Sequence, residues 1–142
     1  MARKSLKQQA PEGGGLAEAG TVWHGAEAGP DHRLAPHDLA RLGSLGYTAE
    51  EINMLVVPRR TLARRTANGE RLSVEETDKA MRLERIAAQA ARVFGDAGKA
   101  NRWLRLPKAR LANATPVAYL ASEAGARVVE DMLHQIEHGI YA

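Results

Sequence analysis

Cysteine is absent from the 142 residues. That excludes a disulfide framework and any thiolate metal site. Aromatic residues make up only 4%, with a single Phe. A core must therefore be built from Leu, Val, Ile, Met and Ala, which favours closely packed helices over stacked sheets. No stretch approaches the roughly 20 apolar residues of a membrane span. The first residues, Met-Ala-Arg-Lys-Ser-Leu-Lys, lack the apolar run of a signal peptide, so the cytoplasm is the expected compartment and no membrane partner is expected. Also missing are a G-x-S-x-G elbow, a phosphate-cradling glycine loop and any Cys/His pair. The sequence thus offers no catalytic residue and no cofactor site.

What is present is a polarity of charge. The net charge of +3 divides unevenly. Residues 59–110 hold fourteen Lys/Arg against six Asp/Glu, and residues 111–142 hold one Arg against four acids. Such asymmetry suggests one surface for an anionic partner and another for something else, although solvated helices also give uneven counts.

Residues 1–35 read as a Gly/Ala-rich disordered tail. Pro11-Glu12-Gly13-Gly14-Gly15 opposes regular structure, and apolar residues are few and aperiodic. Trp23 is the exception, either a small anchor or simply exposed. Ordered structure is expected from Pro36. Leu39, Leu42 and Leu45 mark a short helix closed by Gly46. Thr48 and Glu51 form a capping box for a second helix. Val57-Pro58 breaks it, and a third helix, Arg59 to Ala67, ends at Asn68-Gly69. Two short helices across a tight break, the second arginine-rich, suit a helix-turn-helix whose second helix enters the major groove. Arg59, Arg60, Thr61, Arg64 and Arg65 are its candidate DNA-binding residues. An ordinary solvated helix is the other reading.

Ser73 and Glu76 form a second capping box, launching a long helix to about Phe94. Met81, Leu83, Ile86, Ala87, Ala90, Val93 and Phe94 supply its buried side, with Arg82, Arg85 and Arg92 expected outside. Gly95-Asp96 ends it and caps the next helix, Ala97 to Arg105, with Trp103 and Leu104 in the core. Lys108 to Ala114 reads as a loop, and Thr115-Pro116 opens Val117 to Ala121.

The last stretch, Ser122 to Ala142, is amphipathic. Ser122 is its N-cap, and Ala126, Val129, Leu133, Ile136 and Ile140, with Met132 beside them, form one apolar stripe. Gly139 sits where a helix ends, before an apolar tail, Ile140-Tyr141-Ala142. Tyr141 either folds back onto the chain's own core or fills a pocket on a partner. Within the stretch, His134-Gln-Ile-Glu137-His138 has the form of the inverted zinc-protease motif. That class takes a third ligand from well downstream, and no ligand type follows here, so the pair reads as surface and no metal is expected.

From about Leu45 onward the chain resembles the Xre/MbcA/ParS-type antitoxins of bacterial toxin–antitoxin pairs. The resemblance is carried by Val57-Pro-Arg-Arg-Thr-Leu-Ala-Arg-Arg65, Leu72-Ser-Val-Glu-Glu-Thr-Asp78 and Arg82-Leu83. Val93-Phe-Gly-Asp96, Ala100-Asn-Arg-Trp-Leu104, Thr115-Pro116, Glu123-Ala-Gly-Ala-Arg-Val-Val-Glu130 and His138-Gly-Ile-Tyr-Ala142 complete it. Two departures stand out. Thr77 replaces an expected serine, and Leu111-Ala-Asn-Ala114 lacks the usual glycine pair.

The resemblance implies an all-α chain, with a helix-turn-helix-like region at 36–72 and a small helical toxin-binding bundle at 73–142. It implies a non-catalytic antitoxin that covers the active site of a RES-domain toxin acting on NAD, by degradation or ADP-ribosylation, and that represses its own operon. A homodimer within a larger complex with the toxin is expected. Toxin-binding residues would be Glu123, Arg127, Glu130, Asp131, His134, Glu137, His138, Gly139, Ile140, Tyr141 and Ala142. The alternative is a stand-alone helix-turn-helix transcriptional regulator.

Overall fold

The capping signals predict where helices start, and the computed structural model, which describes residues 31–139, has them there. Residues 1–30, including Trp23, and the apolar tail Ile140–Ala142 lie outside the described residues. Every regular element among the described residues is helical. A 3-10 turn, Pro36–Leu39, runs into α1, Ala40–Ser44. Then come α2, Ala49–Leu55, and α3, Arg59–Asn68. The long α4 spans Val74–Phe94 and α5 spans Ala97–Arg105. Two further 3-10 turns, Ala109–Leu111 and Val117–Ala121, lead to α6, Glu123–Glu137.

The caps expected at Thr48, Ser73, Asp96 and Ser122 form, whereas Pro116, not Thr115, is the N-cap of the Val117–Ala121 turn. The Thr48 hydroxyl accepts from the Glu51 amide at 3.1 Å, and the Glu51 carboxylate accepts from the Thr48 amide at 3.0 Å. Ser73 and Glu76 repeat the exchange at 3.0 and 2.8 Å. Asp96 and Ser122 accept from the Gly98 and Gly125 amides, satisfying donors that a helix start leaves orphaned.

α4 is the spine. Leu83, Ile86 and Ala90 on it are fully buried, with Leu72, Leu104, Leu120, Val129 and Leu133 packed into the same core as Leu42 and Val57. A single core therefore runs through both regions that the sequence divides at residue 72. Polar contacts stitch the same seam. The buried Tyr47 hydroxyl donates to the Leu83 carbonyl at 2.7 Å. Arg105 donates to the Gly46 carbonyl at 2.9 Å and to Glu51 at 2.8 Å.

Two expectations need correcting. Residues 31–35, read as tail, are part of the fold: Leu34 is buried, its amide donates to the Thr77 hydroxyl at 3.1 Å, and its carbonyl accepts from the Leu72 amide at 2.8 Å. Thr77 in place of serine thus keeps the hydroxyl that anchors this strap. Arg82, read as solvated, is buried, because α6 lies over that side of α4.

The loop without its glycine pair adopts the backbone glycine would favour. Ala112 and Asn113 have φ of 53° and 66°. Asparagine tolerates that region, whereas alanine is strained there by about 1–2 kcal/mol. Ala112→Gly should therefore raise stability by up to about 1 kcal/mol, the reverse of its usual effect. Thermal unfolding checks the sign.

Candidate DNA-facing and partner-binding surfaces

α3 contributes no fully buried residue. Pro58 starts it with no side-chain cap, and its first turn carries two arginines and no acid. Positive charge there opposes the helix dipole, so an anion seated against that turn relieves both the free amides and the repulsion. Arg59, Arg60 and Arg64 are exposed and have no hydrogen-bond or ion-pair partner among the described residues. Thr61 is half-buried.

Arg65 is different. Its side chain is only 18% exposed and pairs with Glu76 at 3.0 Å and with Glu70 at 3.5 Å. It ties α3 to the start of α4 instead of standing beside the other three arginines.

α6 buries Ala126, Val129, Met132 and Leu133, as the apolar stripe requires. Its acidic side is occupied within the fold. Glu123 bridges Arg82 at 2.9 Å and Arg85 at 3.1 Å. Arg85 also holds Glu130 at 2.6 Å, and Arg92 lies 3.7 Å from Glu137. Arg82 reaches further, donating to the Leu120 carbonyl at 3.3 Å. Its hydrogen bond holds the Glu123 carboxyl below the ordinary glutamate value, against the opposing effect of burial. The sequence treated these carboxylates as free for a partner; three basic residues of α4 already meet them.

The outer face of α6 remains. Arg127, Val128, Asp131, His134 and His138 are exposed, and Arg127 and Asp131 have no partner among the described residues. Val128 was not among the sequence candidates; it lies off the apolar stripe, yet it is a large apolar side chain left 41% exposed. Gly139, in the left-handed region at φ 67°, ends the helix and directs the chain onward. Ile140, Tyr141 and Ala142 lie outside the described residues. His134, Glu137 and His138 share the end of this face, with ligand atoms all within 4.8 Å of one another. No helix among the described residues is long and apolar enough to cross a membrane.

Comparison with known proteins adds kinship to this geometry. Residues 89–139, the end of α4 through α6, match the family described as the antitoxin Xre/MbcA/ParS C-terminal toxin-binding domain. Among known proteins, the chain is 44% identical over 84 residues to an "Antitoxin Xre" of Pseudomonas putida, covering 59% of this chain and 53% of that one. It is 34% identical over 95 residues to an "Antitoxin Xre" of Yersinia enterocolitica, covering 66% and 64%. The chain thus spans about half to two thirds of the length of these relatives. Among solved structures, a chain of the Mycobacterium tuberculosis MbcT–MbcA toxin–antitoxin complex superposes with a TM-score of 0.58 at 22% identity. The superposition covers 75% of this chain and 96% of that one. At that identity the likeness is one of fold.

Proposed function

We propose, on the premise that the chain is of the Xre/MbcA/ParS antitoxin type, that it silences a RES-domain toxin acting on NAD by covering its active site. The observation that carries this reading is the position of the toxin-binding domain match. It takes in all of α6 and Gly139, so the family's toxin-binding part includes the outer face of α6, where Arg127 and Asp131 have no partner among the described residues.

Ion pairs within the fold favour a narrower contact than the sequence candidates. Glu123, Glu130 and Glu137 are engaged by α4 arginines. The partner-facing set is therefore Arg127, Val128, Asp131, His134 and His138, continued by Gly139 to Ala142. A cleft built to hold an anionic dinucleotide is basic, which suits the unpaired Asp131. Tyr141 supplies an aromatic anchor of the kind that dominates such interfaces.

The second role is repression of the chain's own operon. The exposed Arg59, Arg60 and Arg64 on α3 support it, acting from a homodimer, because groove-reading helices usually work in pairs on palindromic sites. The protein acts in the cytoplasm and without catalysis.

Co-expression with a RES-domain toxin tests the contact. A tagged chain should retain that protein through purification. The double charge reversal Arg127→Glu/Asp131→Lys should cut the recovered amount at least tenfold while leaving the helical content unchanged. Equal recovery would remove the outer face of α6 from the interface. Absence of capture by the unaltered chain would point to a regulator with no toxin partner.

A further inference from the structure

The side-chain cluster at the end of α6 has metal-ligating chemistry beyond the partner contact proposed for His134 and His138. His134 lies in the last turn of α6 and His138, four residues on, is its C-cap, with Glu137 one position before it. All three are exposed. The two imidazole rings meet edge to face, with centroids 4.3 Å apart. One ligand atom from each residue lies within 4.8 Å of the other two. Donors sharing a tetrahedral zinc sit about 3.4 Å apart, given metal–donor bonds of about 2.1 Å. Closing from the present spacing needs only side-chain rotation, and exposed side chains rotate freely.

We propose that His134, Glu137 and His138 form a surface site for a divalent first-row transition metal of the zinc, nickel or copper class. Two imidazoles select those ions over calcium and magnesium, which prefer all-oxygen shells. A site with three donors leaves its remaining positions to water or to a donor from another chain. Arg92 lies 3.7 Å from Glu137 and competes for its carboxylate. The two histidines therefore carry most of the affinity, and Glu137 tunes it. His134 and Glu137 lie in the last turn of α6 and His138 is its C-cap, so the backbone holds the three donors near one another. Binding also clamps the last turn of α6, just before Gly139 redirects the chain.

The inference stands on the free chain and does not depend on a toxin partner. Zinc or nickel titrated into the full-length protein, followed by calorimetry, should show one equivalent bound in the micromolar range. Magnesium and calcium at the same concentrations should show none. His134→Ala and His138→Ala should each weaken zinc binding at least tenfold, and Glu137→Gln by a smaller factor. All three positions are exposed, so circular dichroism should report unchanged folding. The histidine resonances of 134 and 138 should broaden or shift with nickel while those of His32 and His37 do not. Zinc affinity unchanged in both histidine variants, or no binding by the unaltered chain, would overturn the site.

Discussion

Replacing Arg59, Arg60 and Arg64 together with alanine should weaken promoter binding on the order of a hundredfold near physiological salt. Each phosphate contact releases condensed counterions, so the logarithm of affinity falls with the logarithm of salt by about 0.9 per contact. Losing three contacts should flatten that slope by about 3 for each copy of α3 engaged. Stability should hardly change, because none of the three has an internal partner among the described residues. Arg65→Ala should behave in the opposite way. Its guanidinium is mostly covered and lies 3.0 Å from Glu76. Its loss should lower stability by roughly 1–3 kcal/mol and leave the salt slope nearly intact. Band-shift titrations at several salt concentrations, with thermal melts alongside, separate the two. An unaltered promoter affinity in the triple variant would exclude α3 as the reading helix.

Gly125→Ala should destabilise the fold by about 2 kcal/mol or more, lowering the melting temperature on the order of 10 °C. The sign is the informative part. In a helix interior this change normally stabilises by up to about 1 kcal/mol. Here the chain reverses at Ser122 and lays the first turn of α6 against the preceding 3-10 turn. A Cβ at 125 would collide with the Tyr119 carbonyl oxygen and come within 3.1 Å of the Ser122 hydroxyl oxygen. Neither the carbonyl nor the cap can move without opening the contact between α6 and that turn. Gly43→Ala is the control. It is helical as well, and no atom lies within 4 Å of an added Cβ, so the ordinary stabilising effect should appear. A stabilised Gly125→Ala protein would mean that α6 does not sit this close. Because the outer face of α6 is the proposed partner surface, the destabilised variant should also capture less toxin.

What the sequence made legible was local. The capping pairs Thr48/Glu51 and Ser73/Glu76 are three residues apart, so the chain itself sets their geometry, and both formed as spaced. The apolar period of α6 likewise predicted its buried face. What escaped depends on partners distant in sequence. Arg82 looks like any solvated arginine on a long helix until Glu123, 41 residues on, is folded over it. The acids of α6 looked free for the same reason. Arg65 read as one of four equivalent arginines because its partner, Glu76, belongs to the next helix. Leu34 is a lone apolar residue after a glycine-rich stretch, and only the core it enters reveals its role. The candidate site was therefore legible in type, a basic helix and an amphipathic last helix. The split between occupied and available side chains was not.

Under the proposed function, that split assigns the silencing contact to the outer face of α6 and to residues 139–142. To test the proposed function, a purified RES-domain toxin, assayed for NAD consumption, is titrated with the full chain and with a chain ending at His138. The full chain should stop turnover at stoichiometric amounts. The shortened chain should still bind through α6 yet leave most of the activity intact. Equal inhibition by both would contradict occlusion by the terminal segment.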